Sequence, residues 1–314
     1  MGKIAFLFPG QGSQSVGMGK TLADSHEHVQ NIFSKADQAL GDQLTRLIFE
    51  GPQEELTLTS NAQPALLTAS IAILQLFKES GIKPDFVAGH SLGEYTALVA
   101  SGAFSFEDGV KAVRRRGELM EEAVPNGEGA MAAILGLDRV KLEEVTLRIS
   151  ESGHAVQLAN LNCPGQIVIS GTREGVELAG AAAKEAGAKR AIPLEVSGPF
   201  HSALMKPAAN KFAAVLDNII IKEAEIPVIA NVTAKPMQSA LDIQQKLIEQ
   251  LYSPVLWEDS VRTMIDSGVD TFIEIGPGKV LSGLVKKVDR TVKTLPVFDQ
   301  ESYSAAIAVL KEEV

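Results

Sequence analysis

A single serine lies between two glycines in the pentapeptide Gly89-His90-Ser91-Leu92-Gly93. The apolar residues 85–88 before it predict a strand, and the helix-forming residues 92–101 after it predict a helix. Ser91 is therefore expected on a tight strand-to-helix turn, the nucleophile elbow of serine enzymes. Such a turn exposes the hydroxyl and directs backbone N–H groups of the helix start toward an oxyanion. The arrangement predicts covalent acyl transfer through Ser91, although this short motif also occurs by chance.

A serine hydroxyl is a weak nucleophile until a base takes its proton, so the chain must also supply a histidine. The sequence contains five histidines. His26, His28 and His154 lie in stretches that favour exposed positions. His90 leaves the turn in a different direction from the serine and favours packing. His201 follows a Gly-Pro loop between a predicted strand and a predicted helix, the kind of loop in which catalytic groups concentrate, and we expect it to be the base.

Strand and helix patterns alternate around these residues, which predicts an α/β fold with a largely parallel sheet. A long apolar stretch predicts a helix over residues 64–80. Between the serine and the histidine the order changes to β-α-β-β-α-β, which is typical of ferredoxin-like domains. We therefore expect an α/β-hydrolase-like catalytic subdomain from residues 1–123 and 196–314, and an inserted ferredoxin-like subdomain from residues 124–195. A ligand site is expected in the cleft between the two.

Composition limits the classes of function. The net charge of −10 argues against nucleic-acid binding, which needs a basic surface. The single cysteine, Cys163, rules out an intrachain disulfide and a multi-cysteine metal cluster. It is expected in a turn. The glycine-rich residues 10–15 lack the third glycine of a dinucleotide fingerprint. Apolar stretches are too short for a signal peptide or a membrane span, which predicts a soluble cytoplasmic protein.

Over essentially its whole length the chain resembles the malonyl-CoA:acyl carrier protein transacylases of fatty acid synthesis. The segments that carry the resemblance are Phe8–Gln14, Ala62–Ala65, Gly89–Glu94, Arg116-Gly117, Asn162 with Pro164–Gln166, Phe200-His201, Asn231-Val232 and Glu274–Pro277. Together they are far more specific than the serine motif alone. The resemblance implies that Ser91 is the nucleophile and that His201 is the base. It also implies that a carbonyl of Gln250, rather than a carboxylate, orients the base.

The resemblance further implies an oxyanion hole made by the backbone N–H groups of Gln11 and Leu92. It implies that Arg116 binds the free carboxylate of a malonyl group through paired hydrogen bonds, a contact that an acetyl group cannot make. The remaining candidates for substrate binding are Phe200, whose ring favours a small acyl group, Asn162 and Gln63.

The implied reaction is ping-pong. Malonyl-CoA acylates Ser91, CoA leaves, and the phosphopantetheine thiol of holo acyl carrier protein takes the malonyl group. No metal or prosthetic group is implied, and we expect a monomer. Because acyl carrier protein is acidic, clustered basic residues predict its docking surface; these are Lys279, Lys286, Lys287, Arg290 and Lys293, with Lys189 and Arg190.

Three alternatives are open at this point. A serine hydrolase such as a thioesterase shares the serine and the base, but it lets water release the acyl group. A noncatalytic module that binds carrier protein would keep the fold without the reaction. A related acyltransferase would transfer a different acyl group.

Overall fold

The structure, a computed structural model, describes residues 2–125 and 127–311. The strands, in chain order, are β1 (Lys3–Phe8), β2 (Phe86–Gly89), β3 (Gly129–Leu135), β4 (Val156–Cys163), β5 (Gln166–Thr172), β6 (Arg190–Pro193), β7 (Val228–Ile229), β8 (Pro236–Met237), β9 (Val269–Ile275) and β10 (Lys293–Val297). They form a six-stranded sheet and a four-stranded sheet.

The α-helices are α1 (Lys20–Ser25), α2 (Glu27–Leu40), α3 (Leu44–Glu50), α4 (Gln53–Thr57), α5 (Thr59–Leu74), α6 (Leu92–Ala100), α7 (Phe106–Glu122), α8 (Arg139–Glu151), α9 (Arg173–Glu185), α10 (Lys206–Leu216), α11 (Ala240–Gln250), α12 (Trp257–Asp266), α13 (Val280–Val288) and α14 (Gln300–Lys311). Short 3₁₀ helices span Gln75–Glu79 and Ala203–Met205. Within the described ranges, no helix has the length and apolar character that crossing a membrane requires.

The larger sheet has the strand order β10-β9-β1-β2-β7-β8, and all of its pairs are parallel except β7 with β8. Its central strand, β1, is buried on both faces, as is typical of parallel strands covered by helices. Side chains of Ile4, Phe6 and Phe8 enter one hydrophobic core. Those of Ala5 and Leu7 enter a second core on the opposite face. This period-two alternation follows from strand geometry.

The smaller sheet is antiparallel with the order β4-β5-β3-β6, and a third hydrophobic core lies between it and helices α8 and α9. The order β-α-β-β-α-β along the chain, with these strand neighbours, is the ferredoxin-like arrangement. The predicted fold class is thereby confirmed. The boundaries at 123/124 and 195/196 stay predictions, and residue 126, within the segment that motivated the first boundary, lies outside the described residues.

Two local predictions were wrong. Helix α5 begins at Thr59 instead of residue 64, so Pro64 lies inside it. Proline has no N–H to donate to the carbonyl of Ser60 one turn earlier. That carbonyl instead accepts a 2.9 Å hydrogen bond from the guanidinium of Arg114, which compensates the lost bond. Cys163 was expected in a turn, but it is the buried last residue of β4.

Candidate active site

Ser91 lies on the sharp turn between β2 and α6, with φ 52° and ψ −105°. A positive φ is uncommon outside glycine and persists only where the surrounding structure holds it. Close backbone packing requires the two flanking glycines. A Cβ on Gly89 would lie 1.9 Å from the backbone of Gly93, and a Cβ on Gly93 would lie 2.1 Å from the carbonyl oxygen of Phe8. The backbone of the elbow therefore packs directly against the end of β1.

His201 faces the serine, with its Nε2 2.8 Å from the Oγ of Ser91. Its other nitrogen, Nδ1, lies 2.8 Å from the backbone carbonyl oxygen of Gln250. A carbonyl can only accept, so Nδ1 carries the hydrogen and Nε2 keeps its lone pair toward the serine hydroxyl. The tautomer that a general base requires is thus fixed by Gln250.

Burial, together with the nearby positive charge of Arg116, lowers the pKa of His201 to about 3. The hydrogen bond to the carbonyl of Gln250 opposes this shift, but it is the smaller effect. The imidazole is therefore neutral, and able to take a proton, throughout the neutral and mildly acidic range.

Arg116, on α7, is buried with 1% of its surface exposed. Its Nη2 donates to the Oγ of Ser91 over 3.1 Å and to the Oε1 of Gln250 over 3.0 Å. Its Nη1 donates to the Oε1 of Gln63 over 2.8 Å. The guanidinium carbon lies 5.3 Å from the ring centre of Tyr95, a cation–π distance. A positive charge is thereby held beside the serine hydroxyl.

Sequence reasoning missed two polar residues beneath the elbow, Glu94 and Asn231. Asn231 accepts from the backbone N–H of Ser91 over 2.7 Å and donates to the carbonyl of Gly89 over 2.8 Å. Glu94 accepts from the backbone N–H of Asn231 over 3.0 Å and from the Nε2 of Gln250 over 2.9 Å. An acidic residue in the otherwise apolar helix α6 was the available signal for Glu94.

Ser91, His201 and Arg116 line a cavity of about 420 Å³. Met131 of β3 and Asn160 of β4, both in the smaller sheet, also line it, and so do Gln11, from the loop after β1 of the larger sheet, and Ser91, from the turn after β2. Other lining residues are His90, Met120, Leu194 and Phe200, with Glu54 and Glu195 among the charged ones. The cavity that contains the serine is therefore lined by residues from both of the predicted subdomains.

The two oxyanion-hole candidates border the serine from different elements. Gln11 lies in the loop after β1 and lines the cavity, while its side chain donates to the Oγ1 of Thr59. Leu92 is the first residue of α6, a position whose N–H has no acceptor within the helix. A backbone donor at that position is suited to an anion.

Gln63 and Asn162 lie behind the cavity wall. Gln63 is fully buried and bonded to Arg116, and the Oδ1 of Asn162 lies 2.8 Å from the Nε2 of His90. Each thus contacts a lining residue instead of the cavity itself. In the described part of the chain, no group of three or more His, Cys, Asp or Glu side chains is arranged to hold a metal ion.

Three of the basic candidates, Lys287, Lys189 and Arg190, lie at one end of the smaller sheet. The Nζ of Lys287, on α13, donates to the Oε1 of Gln166 over 3.0 Å. Leu135 pairs with Gln166 on one side and with Arg190 on the other. Lys189 and Arg190 therefore lie about two strand spacings from Gln166, on the order of 10 Å. The exposed members of the cluster are Lys189, Arg190, Lys279, Lys286, Lys287 and Arg290.

Comparison with known proteins agrees with this geometry. A family model described as an acyl transferase domain matches residues 5–309. The class of protein is therefore an acyltransferase. A malonyl CoA-acyl carrier protein transacylase of Bacillus subtilis is 66% identical over 313 residues, covering 100% of this chain and 99% of the relative. The chain belongs to the family of malonyl CoA-acyl carrier protein transacylases.

Solved structures give the same result. A transacylase of that name from Clostridium perfringens has a TM-score of 0.96 and 43% identity, covering 99% of this chain and 98% of the other. A malonyl-transacylase in complex with a holo type II PKS acyl-carrier protein has a TM-score of 0.95 and 46% identity, covering 98% of this chain and 99% of the other.

Proposed function

We propose that the chain transfers the malonyl group of malonyl-CoA to the phosphopantetheine thiol of holo acyl carrier protein through a malonyl ester of Ser91. One arrangement carries this proposal: the serine hydroxyl lies between the unprotonated Nε2 of His201 at 2.8 Å and the guanidinium of Arg116 at 3.1 Å. A nucleophile, its base and a cation for a second carboxylate are thus within one cavity.

In the first half-reaction, the Oγ of Ser91 attacks the thioester carbon while its proton moves to the Nε2 of His201. The tetrahedral intermediate carries a negative oxygen, which accepts hydrogen bonds from the backbone N–H groups of Gln11 and Leu92. Collapse of the intermediate breaks the carbon–sulfur bond. The proton on His201 passes to the sulfur of the departing CoA, and the malonyl ester remains on the serine.

The second half-reaction reverses these steps with a different thiol. The phosphopantetheine thiol gives its proton to His201, and its sulfur attacks the ester carbon. Ser91 leaves with the proton from His201, and malonyl carrier protein departs. The two substrates, Ser91 and His201 supply every group that reacts in these steps.

Selectivity for a malonyl group is assigned to Arg116. Malonyl carries a second carboxylate, and the guanidinium can bind it in place of the hydrogen bond that it donates to the Oγ of Ser91. Gln63 and Gln250 hold the guanidinium in position. The buried ring of Phe200 restricts the width of the acyl pocket. Asn162 orients His90 in this scheme, and it acts on substrate only through the cavity wall.

Docking of the acidic carrier protein is assigned to the basic cluster of Lys279, Lys286, Lys287 and Arg290, with Lys189 and Arg190 beside it. The contact of Lys287, on α13, with Gln166 and the proximity of Gln166 to Lys189 and Arg190 across the smaller sheet support the assignment. Met131, which lines the cavity, lies four residues along β3 from Leu135, about 13 Å. A phosphopantetheine arm would cross that distance. The proposal also includes that the protein is a monomer and that it is located in the cytoplasm.

The test uses the two half-reactions separately. Purified protein mixed with malonyl-CoA and no carrier protein should release one CoA per molecule and hold a stable malonyl adduct, which mass spectrometry locates on Ser91. Adding holo carrier protein should then remove the adduct, whereas the apo form should not. Ser91→Ala should form no adduct, while Ser34→Ala on helix α2 should behave as wild type.

Two results would overturn the proposal. Continuous release of CoA without carrier protein would assign the site to a hydrolase. Undiminished transfer by Ser91→Ala would remove the serine from the mechanism. Removal of such a nucleophile typically lowers turnover by several orders of magnitude, on the order of 10⁶-fold in a serine protease.

A further inference from the structure

We propose that Glu94 is a positioning residue for acyl selection: its carboxyl oxygen holds the side-chain amide of Gln250, and through that amide it aims Arg116 at the acyl carboxylate. The same oxygen holds Asn231 under the nucleophile elbow. This inference rests on the proposed function, and it adds a residue that does not touch the substrate.

Glu94 is the third residue of α6 and is fully buried. A carboxyl group in such a position is costly unless polar partners compensate it. Its Oε2 accepts two hydrogen bonds, 3.0 Å from the backbone nitrogen of Asn231 and 2.9 Å from the Nε2 of Gln250. Both partners contact the catalytic serine themselves, so the buried carboxyl is part of the site's support.

The orientation of the Gln250 amide follows from its neighbours. Arg116 has only donors, so the Oε1 of Gln250 must face it. The Nε2 of Gln250 must then face acceptors, which are the Oε2 of Glu94 at 2.9 Å, the backbone carbonyl of Ser91 at 3.0 Å and the Oδ1 of Asn231 at 3.4 Å. Without the acceptor on Glu94, the amide loses the shortest of these bonds and is held less firmly. Arg116 would then lose a fixed partner.

The elbow is the second structure that depends on this carboxyl. Glu94 fixes the backbone of Asn231, whose side chain holds the N–H of Ser91 and the carbonyl of Gly89. One buried oxygen therefore connects the backbone of the nucleophile with the group that orients Arg116. A shift in the position of either group would therefore alter the position of the other through Glu94.

The acceptor, and not the negative charge, is the required property. The other oxygen, Oε1, is buried with no hydrogen-bond partner, so a proton there leaves Oε2 free to accept both bonds. Burial raises the pKa of Glu94 to about 7, with Arg116 and Tyr95 facing the carboxyl, so both protonation states occur near neutral pH. A glutamine at this position offers one acceptor oxygen in the same place.

The test measures single-turnover acylation of Ser91 by malonyl-CoA and by acetyl-CoA, with the ratio of the two rates as readout. Glu94→Leu should lower the malonyl preference by about tenfold or more, the loss expected when a charge-assisted hydrogen bond is weakened. Glu94→Gln should stay within about threefold of wild type. A purely structural role would lower both rates by the same factor and leave the ratio unchanged.

Circular dichroism and the melting temperature establish that each variant is folded. If Glu94→Leu does not fold, Glu94→Asp replaces it, because its carboxyl is one methylene short of Gln250; the ratio should again fall. An unchanged ratio in the folded variant, or a Glu94→Gln loss as large as that of Glu94→Leu, would overturn the inference. Absence of any malonyl adduct in the wild type would instead overturn the proposed function.

Discussion

His201 donates its Nδ1 hydrogen to the backbone carbonyl oxygen of Gln250 over 2.8 Å. In this site a neutral dipole occupies the position that a carboxylate occupies in a Ser-His-Asp triad. The carbonyl fixes the tautomer without adding a negative charge, so its hydrogen bond only partly offsets the burial and the guanidinium that lower the pKa of His201. A substitution of the Gln250 side chain leaves this acceptor in place, because it belongs to the main chain.

The low pKa of His201 predicts an unusual pH dependence. A base whose pKa is lowered to about 3 loses its proton-accepting form only as the pH falls through that value. The rate of Ser91 acylation should therefore stay nearly constant from pH 8 to pH 5. A histidine with the ordinary pKa of 6.5 would be neutral in only about 3% of molecules at pH 5.

Rapid-quench measurement of CoA release gives this profile. Glu94→Gln is the matched control. It removes the carboxyl of Glu94, whose pKa of about 7 lies inside the pH range of the experiment. A fall in the acylation rate with a midpoint near pH 6.5 in both proteins would contradict the low pKa of His201.

Arg116→Lys should lower acylation by malonyl-CoA much more than acylation by acetyl-CoA. Lysine keeps a positive charge but lacks the planar fork that binds a carboxylate through two hydrogen bonds. Loss of one such bond corresponds to about 10–10²-fold in rate. Arg115→Ala is the control, since Arg115 is partly exposed and pairs with Glu118 on the helix surface. Equal losses for the two acyl groups would show that Arg116 does not bind the carboxylate.

Gly93→Ala should destabilise the protein and slow acylation of Ser91. The new Cβ would meet the carbonyl oxygen of Phe8 at 2.1 Å, which forces α6 away from β1. Overpacking of this kind costs about 1–3 kcal/mol of unfolding free energy, measurable by denaturant titration. Gly283→Ala, in α13, has open space around its Cβ and should gain about 0.5–1 kcal/mol from helix propensity. Similar effects at both positions would refute the steric argument.

Charge reversal at Lys286 and Lys287 should raise the KM for holo carrier protein by about tenfold at low ionic strength. Steering between opposite charges raises association rates, and salt screens it, so the effect should shrink at about 0.5 M salt. Acylation by malonyl-CoA alone should not change. Lys78→Glu is the control, because Lys78 lies in the 3₁₀ helix Gln75–Glu79, outside the basic cluster.

Steady-state transfer assays at several carrier-protein concentrations measure this KM. An equal loss in the half-reaction without carrier protein would assign these lysines to CoA. An unchanged KM would place docking elsewhere.

Much of the fold could be predicted from local patterns. The apolar run of β1 and the alternation of strands and helices indicate a parallel sheet, because strands covered on both faces have no polar side. The start of α5 could not be predicted in this way. Proline favours the first turn of a helix, which is why residue 64 was predicted as the start. Inside α5, Pro64 leaves the carbonyl of Ser60 without its helical partner, and the guanidinium of Arg114, 54 residues beyond Ser60, donates to that carbonyl instead.

The sequence by itself determined the elbow, because its conformation depends on neighbouring residues: two glycines without Cβ atoms, a strand before them and a helix after them. It also limited the choice of base to five histidines, since residue chemistry alone decides which groups can accept a proton. Resemblance to a known family supplied the proposed roles of Gln250 and Arg116.

Only the tertiary structure decided how these groups meet. His201, Asn231 and Gln250 reach the serine from 110, 140 and 159 residues away. The role of Glu94 could not be predicted either, because an acidic residue in an apolar helix indicates a buried polar group but not the partners that packing gives it. Hydrogen bonds among distant residues depend on the relative placement of β2, α6, α7 and α11. Burial of the apolar faces of these elements sets that placement. Because the hydrophobic effect is non-directional, an apolar face in the sequence does not tell which element it will pack against.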